Sequence, residues 1–83
     1  MAGMAVSRTV RVSIRFFGSL VDRLGERRDV DIPGSATVAD LLQALGLTEK
    51  TVSIAVMDGV QVPLSSVLRD GARVMLVPPV IGG

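Results

Sequence analysis

Apolar and polar residues alternate from Thr9 to Phe16. Val10, Val12, Ile14 and Phe16 take one face, and Thr9, Arg11, Ser13 and Arg15 take the other. A period of two predicts a half-buried strand with Phe16 in the core. Gly18 breaks the pattern. Ser19 to Leu24 then reads as a short helix or turn, with Ser19 as cap, Leu20 and Leu24 on one side and Gly25 as the stop. Arg28 to Ile32 is a second short strand, Val30 and Ile32 inward, close enough in sequence to pair antiparallel with the first. Pro33-Gly34 turns the chain. Thr37 caps the clearest helix, in which Val38, Leu41, Leu42 and Leu45 recur at i, i+3, i+4 and i+7. Asp40 stands at its third position, where a carboxylate suits a helix N-terminus, and Gly46 ends it. Val52 to Met57 is a third strand, with Val52, Ile54 and Val56 of one parity. Asp58-Gly59 signals a tight turn. Val60 to Val62 is a short edge strand stopped by Pro63, residues 64–68 form a crossover or a single helical turn, and Arg73 to Val77 is the last strand.

The order strand, strand, helix, strand, short strand, strand predicts an α+β fold. One main helix covers one face of a small mixed sheet of four to five strands, and the other face is left to solvent. A helix clasped in this way is the ubiquitin-like β-grasp, in which the first and last strands lie side by side and parallel at the centre. Val74 and Leu76 are then expected to face the helix. Met75 and Val77 are expected to face outward, as is Met57.

The chain has 83 residues, which predicts one domain. We expect a flexible N-terminal extension over residues 1–8, the β-grasp domain over 9–79 and a flexible tail over 80–83. There is no cysteine and no histidine. Disulfides, thiol nucleophiles, cysteine metal sites and the commonest general base are therefore excluded. A serine hydrolase would need a base, and the sole lysine, Lys50, sits in a polar stretch. No glycine-rich phosphate loop is present. The net charge of +1 and the two aromatics, Phe16 and Phe17, do not make a nucleic-acid footprint. The longest apolar run, Val74 to Ile81, contains two prolines and is too short to span a bilayer. Met1 to Ser7 does not read as a signal peptide, so a cytoplasmic protein is expected. The chain should perform no reaction alone.

Chemistry concentrates at the end. The last strand runs into Pro78-Pro79, then Val80-Ile81-Gly82-Gly83. Proline fixes φ and lacks an N–H, so the sheet ladder should stop there and the chain should leave the body. Glycine has no Cβ and fits a slot that rejects other residues. The reading is a rigid spacer and a thin tip whose working group is the Gly83 carboxylate. Val80 to Gly83 extends at most about 13 Å at roughly 3.3 Å per residue, so the body must dock close to the mouth of any site the tip enters. Docking needs an apolar patch. Met57, Met75 and Val77, with Phe17 and Leu64, are the candidates, framed by Arg73 and Arg11.

The chain resembles the MoaD/ThiS family of ubiquitin-like sulfur carriers, most closely the small subunit of molybdopterin synthase. The resemblance rests on Arg15-Phe16-Phe17-Gly18, Thr37-Val38-Ala39-Asp40-Leu41-Leu42, Leu68-Arg69-Asp70-Gly71 and Val77-Pro78-Pro79-Val80-Ile81-Gly82-Gly83, and it covers roughly residues 9–83. It implies that a ubiquitin-activating-type adenylyltransferase (MoeB/ThiF type) uses ATP to adenylate Gly83. A sulfur donor then converts the end to a thiocarboxylate. It also implies that Pro78, Pro79, Val80, Ile81 and Gly82 thread the partner's channel, and that sulfur passes to a synthase large subunit (MoaE type). No bound cofactor, metal or catalytic residue is implied for the chain itself. Three other readings stand beside this one: a carrier for thiazole, cysteine or another thio-metabolite, a ubiquitin-like protein modifier, and a β-grasp interaction module with an inert tail.

Overall fold

The computed structural model describes residues 8–79. The expected N-terminal extension, apart from Arg8, and the tail Val80–Gly83 lie outside them. The elements in chain order are β1 (Thr9–Phe16), α1 (Ser19–Leu24), β2 (Arg27–Pro33), α2 (Val38–Ala44), β3 (Ile54–Met57), β4 (Val60–Val62) and β5 (Arg73–Val77). They form a five-stranded sheet of order β2-β1-β5-β3-β4. β1 and β5 run parallel at its centre, with Ile14 opposite Val74 and Phe16 opposite Leu76. Every other pairing is antiparallel. This is the β-grasp that the element order predicts.

One core holds the fold together. Val10, Val12, Ile14 and Phe16 of β1 join Val74 and Leu76 of β5 and Val38, Leu41 and Leu42 of α2. The alternation of β1 is reproduced residue by residue, because a half-buried strand must send every second side chain to the core. α2 starts on a reciprocal capping box: the Asp40 N–H donates to Thr37 Oγ1 at 3.2 Å, and the Thr37 N–H donates to Asp40 Oδ2 at 2.9 Å. Gly46, at φ 77°, closes the helix. β3 and β4 are joined by Asp58 and Gly59, both at positive φ (52° and 84°), the conformation a two-residue hairpin turn demands. Among the described residues no helix is long and apolar enough to cross a membrane.

Two local expectations are corrected. Ser19 is not the cap of α1. The cap position falls on Gly18, no side chain bonds there, and Ser19 is already helical. The second correction concerns β3, which begins at Ile54 and not at Val52. Val52 is buried before the strand starts, so its parity does not carry into the strand. Ala55 and Met57 face the core, while Ile54 and Val56 face outward. Met57 is 6% exposed and stands opposite buried Val74. It is a core residue and cannot serve as a docking contact.

Candidate functional site

The sheet face turned away from α2 brings together what the sequence scattered. Register places Arg27, Arg15, Met75, Val56 and Gln61 in one row across the strands β2, β1, β5, β3 and β4. The neighbouring row holds Asp29, Ser13 and Arg73. On the other side Val77 stands opposite Ile54. The centre of this face is therefore apolar (Met75, Val77, Val56, Ile54) and its β1–β2 side is basic. Met75, Val56 and Val77 are half-buried, and Ile54 is exposed at 36%. Phe17, just beyond β1, is half-buried too, and the Arg15 guanidinium lies 5.9 Å from its ring centroid. That distance is within cation–π reach.

The structure brings the predicted residues Met75, Val77 and Phe17 to this face, together with Ile54, Val56 and Arg15, which the sequence reading did not single out. The missing signal was the phase of β3. Once Ala55 and Met57 are known to point inward, its remaining residues must point out. Leu64 is not part of this face. It packs against the core beside α2, where its carbonyl accepts the Ala39 N–H at 2.9 Å. Arg11 is already engaged. Its Nε donates to Asp31 Oδ1 at 3.0 Å. The hydrogen bond and the opposite charge together raise the guanidinium pKa and hold the Asp31 carboxyl below its ordinary value.

β5 is fixed at both of its ends. At its start, Asp58 Oδ1 accepts the Arg73 N–H at 2.9 Å, and Oδ2 of the same carboxylate pairs with Arg69 at 2.9 Å. At its finish, the Val77 carbonyl accepts the Ser53 N–H at 2.8 Å. The next residue, Pro78, has no N–H to extend the ladder. Its ring instead rests on the turn after β1: a Cβ built on Gly18 would come within 3.0 Å of Pro78 Cγ. Pro78 is half-buried and Pro79 exposed. Pro78 therefore stands beside Gly18, near Phe17 and directly after Val77. Val80, Ile81, Gly82 and Gly83 lie outside the described residues. Among the described residues no group of three His, Cys, Asp or Glu side chains is placed to hold a metal ion, and no side-chain polar atom is buried without a partner.

The sequence profile of the ThiS family matches residues 14–83. No curated protein sequence gives a significant match. Among solved structures, the HVO 2177 protein of Haloferax volcanii is 26% identical and superposes with a TM-score of 0.76, covering 90% of this chain and 88% of that one. SAMP1 of the same organism is also 26% identical, with a TM-score of 0.70 over 88% of this chain and 99% of its own. A Pyrococcus furiosus protein proposed to be subunit 1 of the molybdopterin converting factor is 22% identical, with a TM-score of 0.70 over 86% and 99% of the two chains. At that identity the likeness is one of fold.

Proposed function

The chain belongs to the ThiS family of ubiquitin-fold carriers and modifiers, and from that premise we propose that it is a sulfur carrier whose reactive group is the carboxylate of Gly83. A ubiquitin-activating-type adenylyltransferase seats on the open sheet face. One oxygen of the Gly83 carboxylate attacks the α-phosphorus of ATP, and pyrophosphate leaves. The resulting acyl-adenylate is the electrophile that a free carboxylate is not. A sulfur donor at the hydrosulfide level attacks its carbonyl carbon, the C–O bond to AMP breaks with its electron pair going to the departing phosphate oxygen, and a thiocarboxylate remains. That group is anionic and soft, and hence a good nucleophile by the logic that governs thiolates. The body supplies position alone. The observation that carries this reading is the end of β5: a central strand runs into a proline pair whose first ring is seated on Gly18, at the border of an apolar face.

Within this reading the sulfur goes to molybdopterin synthesis, with the chain as small subunit beside a sulfur-accepting large subunit. The ending Pro78-Pro79-Val80-Ile81-Gly82-Gly83 supports that choice. A second reading, conjugation of Gly83 to lysines of other proteins, draws support from the likeness to SAMP1, the small archaeal modifier protein of Haloferax volcanii. One experiment separates them. The chain is incubated with the activating enzyme, ATP and a sulfur donor, and its intact mass is measured. Exchange of one oxygen for sulfur supports the carrier, and a copurifying large subunit that then takes the sulfur supports the pathway. Higher-mass adducts on target proteins support the modifier. An unchanged mass with a competent enzyme and sulfur donor rejects the carrier, for this pathway and for any other. A chain lengthened by one residue after Gly83 should give no product.

A further inference from the structure

We propose that Arg15, Arg27 and Arg73 form a carboxylate-binding rim on the open sheet face, so that the protein docking there presents acidic side chains around an apolar centre. The proposal rests on the reading that this face is where the activating partner sits.

Three adjacent strands contribute the cluster. Arg15 and Arg27 are direct cross-strand neighbours, and Arg73 stands opposite Ser13, one same-face step from Arg15. All three line one surface depression together with Ser13 and Met75. Like charges set directly opposite each other destabilise a sheet, so this arrangement works against the fold. Among the described residues no nearby carboxylate forms a salt bridge with the cluster. Asp29 accepts the Ser13 hydroxyl at 2.7 Å, Asp31 is taken by Arg11, and Asp58 is taken by Arg69 and the Arg73 N–H. Among the described residues the ion pairs are Arg11–Asp31 and Arg69–Asp58, and neither uses the cluster. The same sheet thus shows the alternative: where β1 and β2 pair Arg11 with Asp31, the charges are matched. Guanidinium groups hold carboxylates through a planar fork. Phe17 lies beneath Arg15 and Met75 stands beside it, which keeps the apolar and basic elements of the surface contiguous. An apolar centre with a charged rim is the anatomy of a transient protein interface, and the sign of this rim selects an acidic partner.

The test uses the full chain and the purified ubiquitin-activating-type adenylyltransferase of the same organism. Affinity is measured by titration calorimetry, and KM for the chain by ATP–pyrophosphate exchange, each at about 50 and 500 mM salt, because contacts of this kind weaken as the screening length shortens. The triple variant Arg15→Gln, Arg27→Gln, Arg73→Gln is expected to bind at least tenfold more weakly, with the loss in KM, and to be far less sensitive to salt than the wild type. Arg28→Gln, one residue along β2 and of opposite parity, should behave as the wild type. The melting temperature of the triple variant should equal or exceed that of the wild type, which separates lost docking from lost folding. Unchanged affinity and salt dependence in the folded triple variant overturn the rim and leave the carrier reading intact. Salt-sensitive binding without any sulfur-for-oxygen exchange keeps the rim and rejects the carrier. No binding at all rejects both.

Discussion

The ring of Pro78 occupies the space into which a side chain at residue 18 would point: a Cβ on Gly18 would lie 3.0 Å from Pro78 Cγ. Gly18 also has φ 58°, a conformation that β-branched residues avoid. Gly18→Val should therefore destabilise the fold by roughly 1–3 kcal/mol from backbone strain and push Pro78 off its seat. Urea unfolding measures the first effect. Transfer by the folded fraction measures the second, and it should fall even where the variant remains folded. Full transfer at wild-type stability would show that this contact does not set the direction of the tail.

The phase of β3 makes the two central methionines opposites. Met57→Ala removes a core side chain and should cost about 2–5 kcal/mol. Met75→Ala, on the open face, should change stability by no more than about 0.5 kcal/mol yet weaken partner binding. Paired denaturation and binding measurements check both. Equal stability losses would mean that the two side chains share one environment.

Thr37 and Asp40 cap α2 reciprocally. Thr37→Ala should cost about 1 kcal/mol, and Asp40→Ala a similar amount. The double variant should lose less than the sum, because each single change already breaks the box. A double-mutant cycle by thermal unfolding gives the coupling directly. Strict additivity would show two independent bonds.

The acid limb of stability should carry a small signature of Asp31. Its hydrogen bond from Arg11, and then the charge of that guanidinium, lower its pKa in the folded state. The contribution is therefore complete above the ordinary aspartate value of about 3.9 and disappears as the pH falls through the lowered one. Both side chains are exposed (69% and 56%), so the effect is expected to be slight and to vanish in high salt. Asp31→Asn should flatten the stability profile below pH 4 and leave its alkaline side unchanged.

How much of this the chain disclosed beforehand depended on how regular each segment is. β1 and α2 were readable in full, because long periodic patterns with clear stops leave one solution: Gly18 after the strand, Thr37 and Gly46 around the helix. β5 was readable from its parity, once the β-grasp placed it beside β1. β3 was not. Its four residues follow a buried Val52, and one irregular step there inverts the faces of every residue after it. The apolar half of the candidate site was thus partly visible through Met75, Val77 and Phe17. Of the basic half only Arg73 was named, because Arg15, Arg27 and Arg73 are far apart in sequence and meet only through strand pairing. Leu64 was misplaced for the converse reason. Nothing in residues 64–68 signals which side of the sheet a non-periodic crossover takes.

The strand that bears the tail is hydrogen-bonded along both of its edges, to β1 and to β3. A pull on the tail along the strand direction would load those ladders in shear, so their bonds would have to yield together and not unzip one after another. Under the proposed function, a body built this way is suited to resist a pull on its terminus and to be released with the scaffold intact.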